Sequence, residues 1–296
     1  MEAPLERTDD FRQTRVMTNA PRSLDHLVLP VLSLDVARAR LAALGFTCAP
    51  DGIHPFGTVN ACVFFSDGTF LEPLAIGDAV VAEQTAREGN AFTAGDARFR
   101  TTVGDNGFSA LVLGSGDADA DDASFRAAGF GGGSRLDFSR AFRTPDGAGG
   151  EASFRLAFAA PQPDNAAFFF TCQRVNVPAV DRSALESHVN GVTGIRGVEL
   201  RAGNPSRHRG FLERFTGGAA TGDDACIRVA LANATIVTGR DAAAQGLVCH
   251  AVRFACRDLS LLRTRLDEAG IVSKSADGNV IVPPAPGQGA TFIIEE

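Results

Sequence analysis

The 296-residue sequence contains no tyrosine and no tryptophan, and Lys274 is its only lysine. Arginine therefore supplies nearly all of the positive charge, and the arginines are scattered rather than gathered in runs. The formal net charge is −7. Because a nucleic-acid-binding protein normally carries a basic patch, this charge pattern argues against a nucleic-acid partner.

Long apolar runs are also missing. No stretch approaches the roughly 20 apolar residues that a membrane-spanning helix needs. Residues 1–22 include Glu2, Glu6 and Asp9 and have no central apolar run, so we predict no signal peptide there. We expect residues 1–22 to be a flexible N-terminal extension of a cytoplasmic protein without a membrane partner.

Cysteine pairs and several catalytic motifs are absent as well. The six cysteines include no Cys-x-x-Cys pair, and each lies in or beside an apolar stretch, which predicts buried free thiols. Such thiols fit a reducing cytoplasm. The chain has no Gly-x-Ser-x-Gly motif and no Walker loop, and Gly287-Gln288-Gly289 precedes a predicted strand rather than a helix.

The chain does contain a unit that recurs four times: an apolar strand, a polar turn, a helix of two to three turns, and a glycine. Repetition on this scale indicates that the fold is built from modules. The four copies begin at Leu24, Phe108, Ile195 and Val248, and their helices end before Gly45, Gly129, Gly217 and Gly270.

Each copy continues past its helix into further strands. In the first copy, Asp67-Gly68 separates two apolar runs, which is a strong indication of a hairpin. With a third strand expected around Thr47-Cys48, the unit becomes a βαβββ module. A further helix is expected within residues 77–89.

Two such modules side by side would form a curved, half-closed sheet, which we call a cup. We therefore predict an α+β fold with four βαβββ modules in two half-barrel domains. The expected domains are residues 23–180, with modules 1 and 2, and residues 190–296, with modules 3 and 4. Ligands bind in concave sites, so the inner face of a cup is the expected ligand site.

Several segments resemble the vicinal oxygen chelate superfamily, and most closely its bacterial glyoxalase-like domain proteins. The similar segments are Leu24-Asp25-His26-Leu27-Val28-Leu29, His54-Pro55-Phe56-Gly57-Thr58-Val59-Asn60, Thr69-Phe70-Leu71-Glu72-Pro73-Leu74, Arg87-Glu88-Gly89-Asn90-Ala91-Phe92, Phe169-Phe170-Thr171-Cys172-Gln173 and His188-Val189-Asn190-Gly191-Val192-Thr193-Gly194. The resemblance covers nearly the whole chain from about residue 23. It implies the glyoxalase and dioxygenase fold in both halves.

The resemblance also implies a metal site. In these families the first strand of a module offers a histidine and the last strand a glutamate, and His26 and Glu72 match this arrangement. An imidazole with a carboxylate suits Zn, Fe, Mn, Ni or Co as a divalent ion. Without the resemblance, His26 would be interpreted as a half-buried structural histidine of an apolar strand.

A weaker candidate pair lies in the fourth copy. His250 and Glu295 are 45 positions apart (295 − 250), and His26 and Glu72 are 46 apart (72 − 26). This one-residue difference would turn one side chain to the other face of the sheet unless a bulge absorbs it. A site formed by all four residues would require module 1 to pair with module 4, whereas pairing in chain order is the simpler topology.

Other polar residues are candidates for substrate binding. His54 precedes Pro55 in a loop, Asn60 interrupts an apolar strand, and Gln173 follows a run of three phenylalanines. In the second copy, Ser109 or Ala110 stands where a second metal-binding histidine would fall, and Gly197 has this place in the third copy.

Two functions remain open from the sequence. The first is a metal-dependent lyase, isomerase or dioxygenase that acts on a small oxygen-bearing molecule. In it, His26 and Glu72 bind the ion, or Glu72 acts as a general base. The alternative is a metal-free protein of the same fold that binds or sequesters a small molecule. The expected partners are a small-molecule ligand and, as an open alternative to a monomer, a second copy in a homodimer.

Overall fold

A computed structural model describes residues 20–143, 149–162, 165–177 and 180–296, so most of the predicted N-terminal extension lies outside the described residues. These residues form four βαβββ modules arranged as two half-barrels, which confirms the predicted α+β fold. The first sheet contains modules 1 and 2, and the second contains modules 3 and 4.

The elements of the first half follow in chain order. Module 1 consists of β1 (Leu24–Pro30), α1 (Leu34–Ala43), β2 (Gly52–Ile53), β3 (Thr58–Asn60), β4 (Val63–Phe64) and β5 (Phe70–Ile76). Two further helices are α2 (Ala79–Arg87) and α3 (Ala91–Thr102). Module 2 consists of β6 (Ala110–Gly114), α4 (Ala118–Ala127), β7 (Leu136–Arg143), β8 (Gly149–Ala159) and β9 (Phe168–Asn176).

The second half repeats this order. Module 3 consists of β10 (Val192–Ala202), a short 3-10 helix (Pro205–His208), α5 (Arg209–Thr216), β11 (Ala220–Gly222), β12 (Cys226–Ala230) and β13 (Thr235–Arg240). Module 4 consists of β14 (Val248–Cys256), α6 (Leu259–Glu268), β15 (Lys274–Ala276), β16 (Asn279–Val282) and β17 (Thr291–Glu295).

The modules pair in chain order. Strands β1 and β6 run antiparallel and join module 1 to module 2, and β10 and β14 join modules 3 and 4 in the same way. The first sheet has the order β2-β3-β5-β1-β6-β9-β8-β7, so β2 and β7 are its two ends. It curls until Arg140 of β7 reaches Asn60 of β3, with Nη1 3.5 Å from Oδ1. We call this concave surface the first cup.

Two details of the first half differ from the sequence-based expectation. The strand expected at Thr47-Cys48 is wrong, because these residues are outside the strands and β2 forms instead at Gly52–Ile53. The expected helix within residues 77–89 is confirmed as α2, but α3 was not predicted. Asn90 begins α3 as its N-cap, accepting hydrogen bonds from the amides of Phe92 and Thr93.

One apolar cluster lies on the outer faces of both sheets, and a second, which includes Phe92 and Phe170, lies on the concave side of the first sheet. Leu27 and Leu71 of the first sheet share one buried cluster with Val198 and Phe254 of the second. Between the halves, the ring of Phe46 lies 5.8 Å from that of Phe254. The halves therefore share a core, and the division at residues 180–190 into two domains stays a proposal.

All six cysteines are free thiols, as the sequence predicts, and Cys62, Cys172, Cys249 and Cys256 are buried. Within the described ranges, no helix has both the length and the apolar character needed to cross a membrane.

Candidate functional site

Strand register brings His26 and Glu72 to the same concave surface. In the parallel pair of β1 and β5, His26 lies opposite Phe70 and Val28 lies opposite Glu72. Alternate residues of a strand face the same side, so His26 and Glu72 both line the first cup. The residues between them, such as Leu71, pack into the outer core.

A bulge adds Asp25 to this surface. Across β1 and β6, Leu24 pairs with Leu113 and His26 with Val112, so Asp25 is an extra residue on β1. Such a bulge redirects a side chain that would otherwise face the opposite side. Asp25 Oδ1 consequently lies 2.6 Å from His26 Nδ1, and its other oxygen lies 2.9 Å from an Arg174 nitrogen.

The carboxylate of Glu72 is the centre of the site. His26 Nε2 lies 3.3 Å from Oε2, and the Asn60 amide donates a hydrogen bond of 2.6 Å to Oε1. His54 Nε2 is 3.7 Å from Oε1, while its Nδ1 is 2.8 Å from the Thr58 hydroxyl. The structure thus brings four of the predicted site residues together, each at most 6% exposed.

Burial and pairing shift the pKa values in this cluster in different directions. Burial disfavours the charged form of His26, but hydrogen bonds and charge from Asp25 and Glu72 raise its pKa above the ordinary 6.5. Burial likewise opposes ionisation of Glu72, yet the hydrogen bond and charge of His26, with smaller effects of His54 and Asn60, lower its pKa to about 2. Glu72 is therefore ionised throughout the neutral range.

His54 behaves differently from His26. Burial lowers its pKa to about 4, and the nearby positive charges of Arg140 and His26 act in the same direction, against the attraction of Glu72. Its ring stacks on Phe56, with centroids 4.9 Å apart. His54 is consequently a neutral imidazole at neutral pH.

Gln173 is not brought to the site, which corrects its expected role in substrate binding. Its neighbours Cys172 and Arg174 line the first cup, so strand alternation turns Gln173 outwards. There Oε1 accepts a hydrogen bond from the Ala118 amide and Nε2 donates to the Gly116 carbonyl, each at 3.0 Å. Gln173 therefore secures the first turn of α4.

Module 2 does not repeat the His and Glu pair. Helix α4 begins 84 residues after α1 (118 − 34), so Ala110 corresponds to His26. The parallel register of β6 and β9 then gives Phe170 as the counterpart of Glu72. Of the two residues that the sequence offered for the second histidine position, Ser109 and Ala110, the structure selects Ala110.

The fourth module does not contribute His250 and Glu295 to this site, because both residues belong to the second sheet. Helix α6 begins 225 residues after α1 (259 − 34), so the counterpart of His26 is Ala251. His250 itself is exposed. Glu295 pairs with Arg253 at 3.0 Å, and Arg253 also pairs with Glu199. The four-residue set considered from the sequence therefore does not form.

Four charged residues of the first cup were not singled out from the sequence. Asp25, Arg140, Arg174 and Arg182 all line it. Phe138 and Arg140 are two positions apart on β7, so strand alternation could have predicted that they face the same side. Both do line the cup. Asp25 could not be placed in this way, because its orientation depends on the bulge.

The donor atoms can be compared with the needs of a divalent ion. In the described part of the chain, no group of three or more His, Cys, Asp and Glu side chains is arranged to hold a metal. His26 Nε2 and Glu72 Oε2 nevertheless have a separation of 3.3 Å. Two ligands at about 2.1 Å from one ion lie about 3.0–3.4 Å apart, so this pair could provide two neighbouring ligands.

Similar solved structures share the fold at low sequence identity. A hypothetical protein from Staphylococcus aureus has a TM-score of 0.67 at 14% identity, covering 92% of this chain and 98% of its own. A mutant 4-hydroxymandelate synthase from Streptomyces coelicolor has a TM-score of 0.61 at 12% identity, covering 93% and 92%. A Mn(II)-bound glyoxalase from Novosphingobium aromaticivorans has a TM-score of 0.54 at 13% identity, covering 93% and 82%.

None of the curated proteins matches this chain. The family model described as "Glyoxalase-like domain" matches residues 24–216, which is well over half of the chain and includes every residue of the His26 and Glu72 cluster. With the two half-barrel sheets, this match agrees with the resemblance noted from the sequence. The chain belongs to the glyoxalase-like domain family of the vicinal oxygen chelate superfamily.

Proposed function

We propose that the first cup is the active site of a divalent-metal-dependent lyase, isomerase or dioxygenase that acts on a small oxygen-bearing molecule. The observation that carries this proposal is the orientation of His26. Asp25 holds Nδ1 at 2.6 Å, so Nε2 is directed at the Glu72 carboxylate. A carboxylate on the distal nitrogen of a histidine is the usual outer support of a metal ligand.

Each residue of the cluster has a distinct role in the proposed metal site. His26 and Glu72 would hold the ion, Asp25 would fix the histidine, and Asn60 would fix the carboxylate. A bound divalent ion would polarise two adjacent oxygens of the substrate. A carboxylate with a pKa of about 2 is a weak base at neutral pH, so the role of metal ligand suits Glu72 better than that of general base. Neutral His54 would donate or accept a hydrogen bond beside it.

One of the similar structures is a Mn(II)-bound glyoxalase, which supports the proposal of metal use. At 13% identity this likeness shows only a shared fold. The proposal of a metal in this chain therefore rests on the chain's own residues.

A second candidate is a metal-free protein that binds or sequesters a small molecule. Ala110 and Phe170 favour it, because they cannot bind a metal at the two positions that correspond to His26 and Glu72. In this case His26 and Glu72 form a buried ion pair that orients polar groups in the cup.

Metal content separates the two candidates. The protein is purified without a histidine tag, and its metals are measured by mass spectrometry for wild type, His26→Ala and Glu72→Gln. The matched control is His250→Ala, which removes an exposed histidine of the second sheet. We expect close to one equivalent of a transition metal in wild type and control, and loss of it in the two site variants.

The same proteins are then heated with and without added Mn(II), Fe(II), Zn(II), Ni(II) and Co(II). Ligand binding to the folded state raises the melting temperature, so a metal site predicts stabilisation of wild type and control only. Absence of metal together with no stabilisation by any of the five ions would refute the enzyme proposal and favour the metal-free candidate.

A further inference from the structure

The first cup carries more positive than negative side chains. Arg140, Arg174 and Arg182 line it, against the carboxylates of Asp25 and Glu72. Both carboxylates already have partners, since Asp25 contacts His26 and Arg174 while Glu72 contacts His26 and Asn60. The excess positive charge therefore belongs to Arg140 and Arg182. A bound divalent ion would increase this excess further.

Among the described residues, Arg140 makes only weak contacts. Its guanidinium lies 5.7 Å from the Phe154 ring, and Nη1 is 3.5 Å from Asn60 Oδ1, which is a long contact. The guanidinium passes directly over Gly52, where an added β-carbon would collide with both Arg140 Nη1 and Asn60 Oδ1. Among the described residues, no carboxylate pairs with Arg140, so its remaining N–H groups can serve a ligand.

Arg182 belongs to the segment between the two halves, and its side chain lines the same cavity. Its guanidinium sits over the ring of Phe64, 4.7 Å from the centroid. Within the ranges that the structure describes, no carboxylate is in ion-pair contact with it. Arg140 and Arg174 line the same cavity as Arg182. Burial and the charges of these two arginines lower the pKa of Arg182, against the attraction of Glu186.

The rest of the cavity is apolar and narrow. Phenylalanine rings form its walls, and the volume is about 80 Å³. A space of this size takes a few waters or a compact organic molecule, because a single water needs roughly 10–15 Å³ on such a measure. The lining phenylalanines are Phe56, Phe64, Phe70, Phe92, Phe138, Phe154 and Phe170.

We propose that the ligand of the first cup is a small organic carboxylate, whose anionic group binds Arg140 and whose compact apolar body packs against the phenylalanine walls. Arg182 adds positive charge on the same cavity. A guanidinium binds a carboxylate through two parallel hydrogen bonds, which gives direction as well as affinity. Gly52 serves this site by leaving room for the Arg140 guanidinium. The inference rests on the proposed function only in taking the first cup as the ligand site.

Calorimetric binding to metal-free protein tests this inference in the presence of EDTA, so its result is independent of metal content and turnover. The probes are acetate, 3-methylbutanoate and benzoate, each compared with its neutral amide. The proteins are wild type, Arg140→Gln and Gly52→Ala. Arg155→Gln is the matched control, because Arg155 contacts Asp119 and Asp137 rather than the cup.

We expect at least one carboxylate with an apolar body to bind wild type and the Arg155→Gln control at least about tenfold more tightly than its amide, as expected for charge-assisted hydrogen bonds. Arg140→Gln should weaken carboxylate binding by about tenfold or more and leave amide binding unchanged. Gly52→Ala should weaken carboxylate binding in the same direction, since its methyl group would displace the Arg140 guanidinium and the neighbouring Asn60 side chain, so Arg140→Gln is the variant that isolates the arginine.

The inference would be overturned if no carboxylate bound better than its amide, or if Arg140→Gln bound carboxylates like wild type. It would also be overturned if acetate bound as tightly as 3-methylbutanoate and benzoate, because the phenylalanine walls would then contribute nothing. Carboxylate binding by a protein that contains no metal would uphold this inference while refuting the metal-dependent function. Full metal content without carboxylate preference would do the reverse.

Discussion

Acid should begin to destabilise this protein through His54 at a pH above the ordinary pKa values of carboxylates. The folded state keeps His54 neutral, with a pKa of about 4, while the unfolded chain has the ordinary value of 6.5. Below pH 6.5 the unfolded state therefore binds a proton that the folded state does not. The contribution of neutral His54 to the unfolding free energy is fully present above pH 6.5 and is lost as pH falls towards 4.

The size of the effect follows from the difference between the two pKa values. A difference of 2.5 units (6.5 − 4), at 1.36 kcal/mol per unit, gives about 3 kcal/mol for the single proton. Because His54 is only 6% exposed, solvent screening takes little from this figure. The other shifted groups of the cluster act in different pH windows. Glu72 adds acid destabilisation below pH 4.5, and His26 stabilises the fold below pH 6.5 and loses that contribution as pH rises through its raised pKa.

The measurement compares wild type with His54→Gln, in which glutamine keeps a polar group near Thr58 but cannot titrate in this range. Urea unfolding in EDTA at pH 7.0, 6.0, 5.0 and 4.5 gives the unfolding free energy of both proteins. We expect the wild-type curve to fall more steeply, so that the difference between the proteins shifts by about 2–3 kcal/mol in favour of the variant. Parallel curves between pH 7.0 and 4.5 would refute the burial of a neutral imidazole.

Three further predictions concern single substitutions. Asp25→Asn should lower the pKa of His26, because the nearer of its two carboxylate partners loses its charge, and an unchanged NMR titration of the His26 ring would contradict this. Phe254→Ala should lower the unfolding free energy by about 3–5 kcal/mol, since it empties a fully buried site of the shared core, and a loss under 1 kcal/mol in denaturant unfolding would show that the core is misassigned. Gln173→Ala should cost about 1 kcal/mol through the lost hydrogen bonds at the start of α4, while carboxylate binding stays at the wild-type level; weakened binding would return Gln173 to the site.

Local patterns were sufficient for the modules and for part of the site. The fourfold recurrence of strand, helix and glycine predicted four βαβββ units, and chain-order pairing followed from the preference for short connections. The resemblance to the vicinal oxygen chelate superfamily predicted that His26 and Glu72 share a site, and the register of β1 and β5 places both on one surface.

The remainder depended on features that no local pattern contains. The side on which Asp25 lies follows from a bulge, and the contact of Arg140 with Asn60 follows from the curling of a whole sheet. Gln173 was misplaced for a related reason: a polar residue at the end of an apolar run is equally compatible with either face until the register of β9 is known.

The contact between Arg140 and Asn60 also has a consequence for how the first cup admits a ligand. Strands β2 and β7 end the hydrogen-bonded order of the first sheet, so in the described residues side chains rather than a backbone ladder bridge this seam. Widening the seam breaks one long hydrogen bond and some contacts between phenylalanine rings, while every strand pair of the sheet stays intact. We therefore expect the half-barrel to widen at this seam more easily than any strand pair separates, and a carboxylate bound to Arg140 to oppose that widening.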